Sequence, residues 1–234
     1  MIAITSLSPT HINSGIQQKA IDSWLKLGLK CYSFNKVSEI EMLSNKFTGI
    51  QFVPTTKTME ASFGKPYVSI SAMIDWAKEQ DCEEFCFINS DIELGYDVKL
   101  LGRIKSRMFT SVVISNRFDY DKKKVNTVQY LAGIDAFFLS KKHLSIYPPS
   151  LFCMGQCFWD YYIPYVALKN NIEVVMMQNE FVFHKKHPVQ YSHDNWEKTA
   201  LLFIIENNIV VKDPGKMRDL VFNFLNLMVK KIKL

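Results

Sequence analysis

The stretch FCFINSDIEL, residues 85–94, runs four apolar residues into Asn89, Ser90, Asp91 and Glu93. A short continuous apolar run bounded by polar residues suits a strand buried on both faces. Its abrupt end has two readings. Asn and Asp favour turns because their side chains bond nearby backbone groups. Alternatively, the strand delivers Asp91 to the carboxyl edge of a parallel sheet, where ligands bind and a carboxylate holds a divalent cation against a diphosphate.

The preceding residues favour such a sheet. IAITSLS (2–8) reads as an opening strand, and GIQQKAIDSWLKLG (15–28) as a helix with Ile16, Ala20, Ile21, Trp24 and Leu25 on one face and Gly28 as its stop. KCYSFN (30–35) is a strand, SEIEMLSNKF (38–47) a short helix opened by Ser38 with Glu41 in a capping box, and IQFVPT (50–55) another strand. After a polar loop, Ser69 begins a helix to about Gln80 with Ile70, Met73, Ile74 and Ala77 as its buried stripe. Alternating strands and helices predict right-handed crossovers and a mostly parallel sheet covered on both faces.

Beyond Asp91 the alternation loosens. VKLLGRIKSRM (98–108) is helical, TSVVISN (110–116) a strand, and RFDYDKKKVNTVQYLA (117–132) a charged loop with room for a short strand. IDAFFLS (134–140) is a strand. FWDYYIPYVALKNN (158–171) is a helix kinked or started near Pro164, and the strand IEVVMM (172–177) follows. In the tail, Asp213 and Pro214 start a helix whose stripe is Leu220, Val221, Phe224, Leu225, Met228 and Ile232, ended by Lys230, Lys231 and Lys233. Packing on the parent domain, membrane-surface attachment and dimer formation are the alternatives for that stripe.

The 234 residues are 48% hydrophobic and 22% charged, which suits one globular domain with at most a small appendage. Neither a long apolar run nor a secretory leader is evident, so a cytoplasmic protein is expected. Five cysteines, an odd number, argue for reduced thiols over a disulfide framework. Cys82 with Cys86 and Cys153 with Cys157 have a spacing that invites zinc, but Cys86 and Cys153 sit among large apolar residues, where cysteine packs as a small hydrophobe. A net charge of +5 suits an anionic ligand and is too diffuse to demand nucleic acid.

The element order, the helix immediately before the strand and its acidic end resemble the GT-A fold glycosyltransferases, whose DXD motif occupies this place. Here the motif reads Asn89-Ser90-Asp91, with an amide where the first carboxylate stands in the family. The resemblance covers roughly residues 1–195. It implies a GT-A-like α/β fold with a mixed, mostly parallel central sheet flanked by helices. Residues 1–95 would form the nucleotide-binding half, 96–195 the acceptor half and 196–234 a C-terminal helical extension.

By the same resemblance, Asp91 is the metal ligand and Asn89 a ribose or sugar contact, with Ser90 between them. The end of the first strand, Thr5 and Ser6 with Ser8 nearby, would cup the base and ribose, although Ser and Thr there also cap the next helix. His11 and Asn13 carry no distinctive pattern. Lys65 can approach a diphosphate and Tyr67 can stack on a base. His184, His187 and His193 fall within ten residues, and imidazole is a common metal ligand. His184 fits a further metal position best and His187 second. Lys185 and Lys186 can meet the leaving phosphate or remain surface charge.

Inverting sugar transfer needs a carboxylate within reach of the acceptor hydroxyl, whereas retention removes the need for that base, and the sequence does not decide between them. Asp160, opening a helix after Gly155, resembles the family's base, and Asp135 after Gly133 is a second candidate. The implied activity is metal-dependent transfer, with Mn2+ or Mg2+, from a nucleotide-diphosphate sugar, UDP-linked by preference, to a glycan, a lipid-linked molecule or another acceptor. Three alternatives stay open: a noncatalytic nucleotide-sugar or membrane-surface binding protein, a nucleotidyltransferase, and a sugar transferase that modifies DNA.

Overall fold

The computed structural model describes residues 1–10, 14–187, 193–210, 216, 219, 223, 226 and 228–234. Its first half runs β1 (Ile2–Thr5), α1 (Ser14–Lys26), β2 (Lys30–Lys36), α2 (Val37–Ser44), β3 (Gln51–Thr55), α3 (Glu60–Phe63), α4 (Ile70–Glu79) and β4 (Glu84–Ile88). The second half runs β5 (Ile92–Leu94), α5 (Val98–Met108), β6 (Ser111–Ser115), β7 (Arg117–Tyr120), β8 (Val128–Tyr130), β9 (Ala136–Ser140), a 3-10 helix, α6 (Trp159–Lys169), β10 (Glu173–Met177), β11 (Val182–Lys185), α7 (His193–Asn207) and β12 (Lys230–Ile232).

Eight strands form one sheet in the order β12-β10-β6-β9-β4-β1-β2-β3. Every neighbouring pair is parallel except those made by β9, which runs antiparallel to β4 and β6. The apolar run that opens the argument lies near the middle, between β1 and β9. Side chains alternate across a strand, so Phe85 and Phe87 join one core cluster with Met73 and Trp159, while Cys86 and Ile88 join the other with Trp24 and Leu101. Both faces are covered, which is why the run has no polar member. Burying each Phe contributes roughly 1.5–3 kcal/mol.

A second sheet, in the order β5-β11-β7-β8, hangs from the carboxyl end of β4. Its β5 is antiparallel to β11, which is parallel to β7. Trp24 in α1 is fully buried and donates its indole N–H to the Ile92 carbonyl at 2.9 Å, which ties this sheet to the first helix.

The structure corrects several local expectations. Residues 117–132 contain two strands, β7 and β8, because Arg117 and Asp119 are paired within the protein and tolerate a sheet position. The 55–66 loop includes the single turn α3. Ser38 does not cap α2: β2 continues to Lys36, so Ser38 is already inside the helix. Ser69 holds the N-cap position of α4, but its hydroxyl reaches the Ser150 carbonyl instead of the helix. Helix α6 starts at Trp159, well before Pro164, and runs through it.

In the tail, Asp213, Pro214, Leu220, Val221, Phe224 and Leu225 lie outside the described residues, as do His11 and Asn13. Lys230, Lys231 and Ile232 are not the end of a helical stripe. They form β12, parallel to β10, with Lys230 and Lys231 exposed at the sheet edge. No helix among the described residues is long and apolar enough to cross a membrane.

Candidate functional site

After β4, Asn89-Ser90-Asp91 makes a tight turn in which the Ile92 N–H donates to the Asn89 carbonyl at 3.2 Å. The segment is a turn, as the first reading expected, and the turn sets the position of Asp91. Pairing of β5 with β11 sets Ile92 opposite His184 and so brings Asp91 beside the end of β11. Asp91 Oδ2 lies 3.0 Å from His187 Nε2 and 3.5 Å from His184 Nε2, and the two imidazole Nε2 atoms are 3.1 Å apart.

Among the described residues, this is the only group of three or more His, Cys, Asp or Glu side chains able to hold a metal ion, each offering an atom within 4.8 Å of the others. The group contains none of the five cysteines. Burial raises the Asp91 carboxyl, but hydrogen bonds and charge from His184 and His187 outweigh it and hold the group well below the usual carboxylate range. Asp91 therefore stays ionised, as a carboxylate ligand must be.

His184 is oriented from behind. Its Nδ1 lies 2.9 Å from Asp119 Oδ1, its register partner on β7. An ionised carboxylate only accepts, so Nδ1 is the donor in this bond and Nε2 faces Asp91 and His187. Arg117 Nε donates to the same Asp119 oxygen at 2.9 Å, and the guanidinium lies 4.4 Å from the Tyr130 ring centroid.

The same arginine links the histidines to a second carboxylate. Arg117 Nη1 donates to Asp135 Oδ1 at 3.3 Å, and Asn89 Nδ2 donates to that oxygen at 2.9 Å. The other Asp135 oxygen is buried and has no hydrogen-bond partner among the described residues. Burial raises the Asp135 carboxyl, opposed by the Arg117 charge and the Asn89 hydrogen bond. Asp160, in the first turn of α6, accepts from the Ile134 N–H at 3.4 Å. Burial, and then the negative charge of Asp135, push Asp160 up to about 7.

These groups share a cavity of about 490 Å³ beyond the carboxyl end of β4. Of the residues expected at the site, Ser6, Lys65, Tyr67, Asn89, Ser90 and Asp91 line it. Asp135, Asp160, His184 and His187 line it as well. Thr5 is not among the lining residues: it is wholly buried, and its hydroxyl lacks a partner among the described residues. The first strand continues through Thr5, which is paired opposite Ser33 inside the sheet, and Ser6 lies on the cavity wall instead.

Several contributors carry no motif. Gln17 in α1 is completely buried, and its carboxamide, oriented to satisfy its neighbours, bonds the Ser8 backbone at 3.0 and 3.1 Å and the Ser90 hydroxyl at 2.8 Å. It joins the loop after β1 to the Asn-Ser-Asp turn. Glu39 reaches the cavity wall from α2 beside Asn35. Gln156 lines the cavity from the loop before α6, where Gly155 has φ 85° and Phe158 φ 68°. Two left-handed residues within four positions turn the chain so that Gln156, Phe158 and Trp159 all border the cavity while Phe158 and Trp159 also pack in the core.

No protein-family model matches the chain, and no curated protein matches it. Its fold does match solved structures. S. aureus TarS superposes with a TM-score of 0.52 at 12% identity, over 96% of this chain and 42% of the TarS chain. The structure of S. aureus TarS 1-349 gives the same score and identity, over 96% of this chain and 70% of that one. The chain thus spans less than half the length of the longer TarS structure. At 12% identity the likeness is one of fold alone, a GT-A-like mixed α/β architecture with a mostly parallel central sheet flanked by helices.

Proposed function

We propose that this protein transfers a sugar from a nucleotide-diphosphate sugar, with a divalent cation held by Asp91, His184 and His187. The observation that carries the proposal is the convergence of those three ligand atoms on a cavity at the carboxyl end of β4. Two imidazoles and one carboxylate suit Mn2+ better than Mg2+, which prefers an all-oxygen shell. When bound, the cation would supply positive charge against the departing diphosphate.

The chain's own residues divide the remaining work. Asp119 orients His184, and Lys65 offers a further positive charge at the cavity wall. Ser6 and Tyr67 supply a hydroxyl and an aromatic face for the nucleoside, with UDP as the preferred donor base. Asp160, with its affinity for protons raised to near neutrality, takes the proton of the acceptor hydroxyl in an inverting displacement. The acceptor oxygen bonds to the anomeric carbon as the bond to the diphosphate oxygen breaks. Asp135, tied to Arg117 and Asn89, is less free to move a proton.

Calorimetry with UDP-, GDP- and dTDP-sugars, with and without Mn2+, tests the proposal on native protein and Asp91→Asn. Metal-dependent binding by native protein, lost in the variant, is the expected result. Binding that ignores both the metal and the substitution would exclude the site.

A further inference from the structure

Gln17 is wholly buried on α1 and does not line the cavity, yet it bonds two segments that do. Its neighbours on the buried face of α1 are Ile16, Ala20, Ile21 and Trp24. A carboxamide in such a stripe is unfavourable unless its hydrogen bonds are made. Oriented to satisfy its neighbours, Gln17 Oε1 accepts from the Ser8 N–H at 3.0 Å and from the Ser90 hydroxyl at 2.8 Å, and Nε2 donates to the Ser8 carbonyl at 3.1 Å.

The pair of bonds to Ser8 matches what a neighbouring strand would make, with a side-chain amide in place of a backbone one. An amide suits this role because it carries an acceptor and a donor in one plane. Leu7, the preceding residue, is held from the β2 side by Ser33 and Asn35. The loop after β1 is thereby fixed from both sides.

The Ser90 bond fixes the other segment. Helix α1 runs beside residues 90–94: Gln17 meets Ser90, Trp24 meets the Ile92 carbonyl, and Ser23 Oγ accepts from the Leu94 N–H at 2.9 Å. Gln17 and Trp24 are about two helical turns apart and so share a face. Gln17 is the contact of this series closest in the chain to Asp91, which follows Ser90 directly. Asp91 meets both His184 and His187 only while the turn keeps its orientation.

We infer that Gln17 is a positioning residue that holds the Asn-Ser-Asp turn against the loop after β1, and so sets both the cation affinity of Asp91 and the fit of the nucleoside. This rests on the cavity being a sugar-nucleotide site. Gln17 acts through Ser90 on the metal side and through Ser8 on the nucleoside side. The two effects are separable, because Ser90→Ala cuts only the first and Gln17→Met, which keeps the length of the side chain, cuts both.

The test is calorimetric titration of Mn2+ into native protein, Ser90→Ala, Ser90→Thr and Gln17→Met, followed by UDP, GDP and dTDP at saturating Mn2+. All titrations are made well below each protein's unfolding midpoint, where a change confined to folding stability leaves affinity unaltered. Ser90→Ala and Gln17→Met should each bind Mn2+ about tenfold more weakly, while Ser90→Thr, which keeps the hydroxyl, stays within about twofold of native. For the nucleoside diphosphate that native protein binds most tightly, Gln17→Met should lose about tenfold and Ser90→Ala less than about twofold. Native Mn2+ affinity in Ser90→Ala would overturn the inference, a result that does not depend on Gln17→Met folding. So would a Gln17→Met protein with native affinity for the nucleoside diphosphate. If native protein binds neither Mn2+ nor any of the three nucleoside diphosphates, the sugar-nucleotide reading falls and the inference with it, whereas native binding that the variants share removes the inference alone.

Discussion

Asn89 Nδ2 donates to Asp135 Oδ1 at 2.9 Å, and the Asn89 backbone N–H donates to the Asp135 carbonyl at 3.2 Å. This double link explains the amide in the Asn89-Ser90-Asp91 motif. An aspartate at 89 would set two carboxylates against each other where a donor is needed. Asn89→Asp is therefore expected to lower stability at pH 7.5 by about 2 kcal/mol. The variant's carboxyl pair would hold a proton more tightly folded than unfolded. Its deficit should consequently shrink as pH falls toward 5 and grow as pH rises, which urea melts at the two pH values read directly. A variant as stable as native protein at pH 7.5 would mean that Asn89 does not depend on Asp135.

Asp119 is not among the cavity-lining residues: it stands behind His184 on the neighbouring strand and meets Nδ1, not Nε2. Asp119→Asn keeps the shape but can present an N–H to Nδ1, which turns the imidazole proton toward the metal side. Mn2+ affinity should fall by about 10–100-fold, as outer-shell partners of ligating histidines commonly show. His184→Ala should reduce it further. Calorimetric titration of Mn2+ into the three proteins ranks them, and equal affinities would remove His184 from the metal set.

The fold was legible where burial alone sets the pattern. Ile70, Met73, Ile74 and Ala77 recur at helical spacing and are all buried in α4, and the run in β4 is apolar because two cores flank it. Strand direction was not legible in the same way. The buried strand β9 has the same composition whether it runs with or against β4, and only its connection makes it antiparallel. Strands β7 and β8 were hidden by charges that pair inside the protein. Asp91, His184 and His187 stood out as metal-binding types at the ends of apolar strands. Asp119, Gln17 and Gln156 did not, because their positions follow from strand register or from a loop turned by two left-handed residues.

The end of β1 depends on a second buried network. Ser33 Oγ accepts from the Leu7 N–H at 2.9 Å and donates to Asn35 Oδ1 at 2.6 Å, while Asn35 Nδ2 donates to the Leu7 carbonyl at 2.8 Å. Asn35 is 1% exposed, so water cannot replace it without rearrangement. Asn35→Leu should destabilise the protein by about 2 kcal/mol, because the backbone carbonyl and the serine hydroxyl both lose a buried partner. The same change releases the segment that carries Ser6 to the cavity. Nucleoside-diphosphate affinity should therefore fall together with the urea midpoint, and a stability loss with unchanged affinity would show that this segment does not meet the ligand.

Asp160 provides the pH signature. Its carboxyl is pushed up to about 7 by burial and then by Asp135, against an ordinary value near 4. A base must be deprotonated, so kcat/KM should rise through about pH 7 and level off above it. Folding stability should move the opposite way. The folded state holds the Asp160 proton more tightly than the unfolded chain, so this contribution is complete below about pH 4 and is lost as pH rises toward 7. Asp160→Asn should remove both trends and reduce turnover by about 10²–10⁴-fold, with nucleotide affinity retained. Measuring rate and stability across pH 4–9 separates the two roles. A variant that loses the stability trend but keeps the rising limb of activity would leave Asp160 as a buried structural acid and assign proton removal to another group.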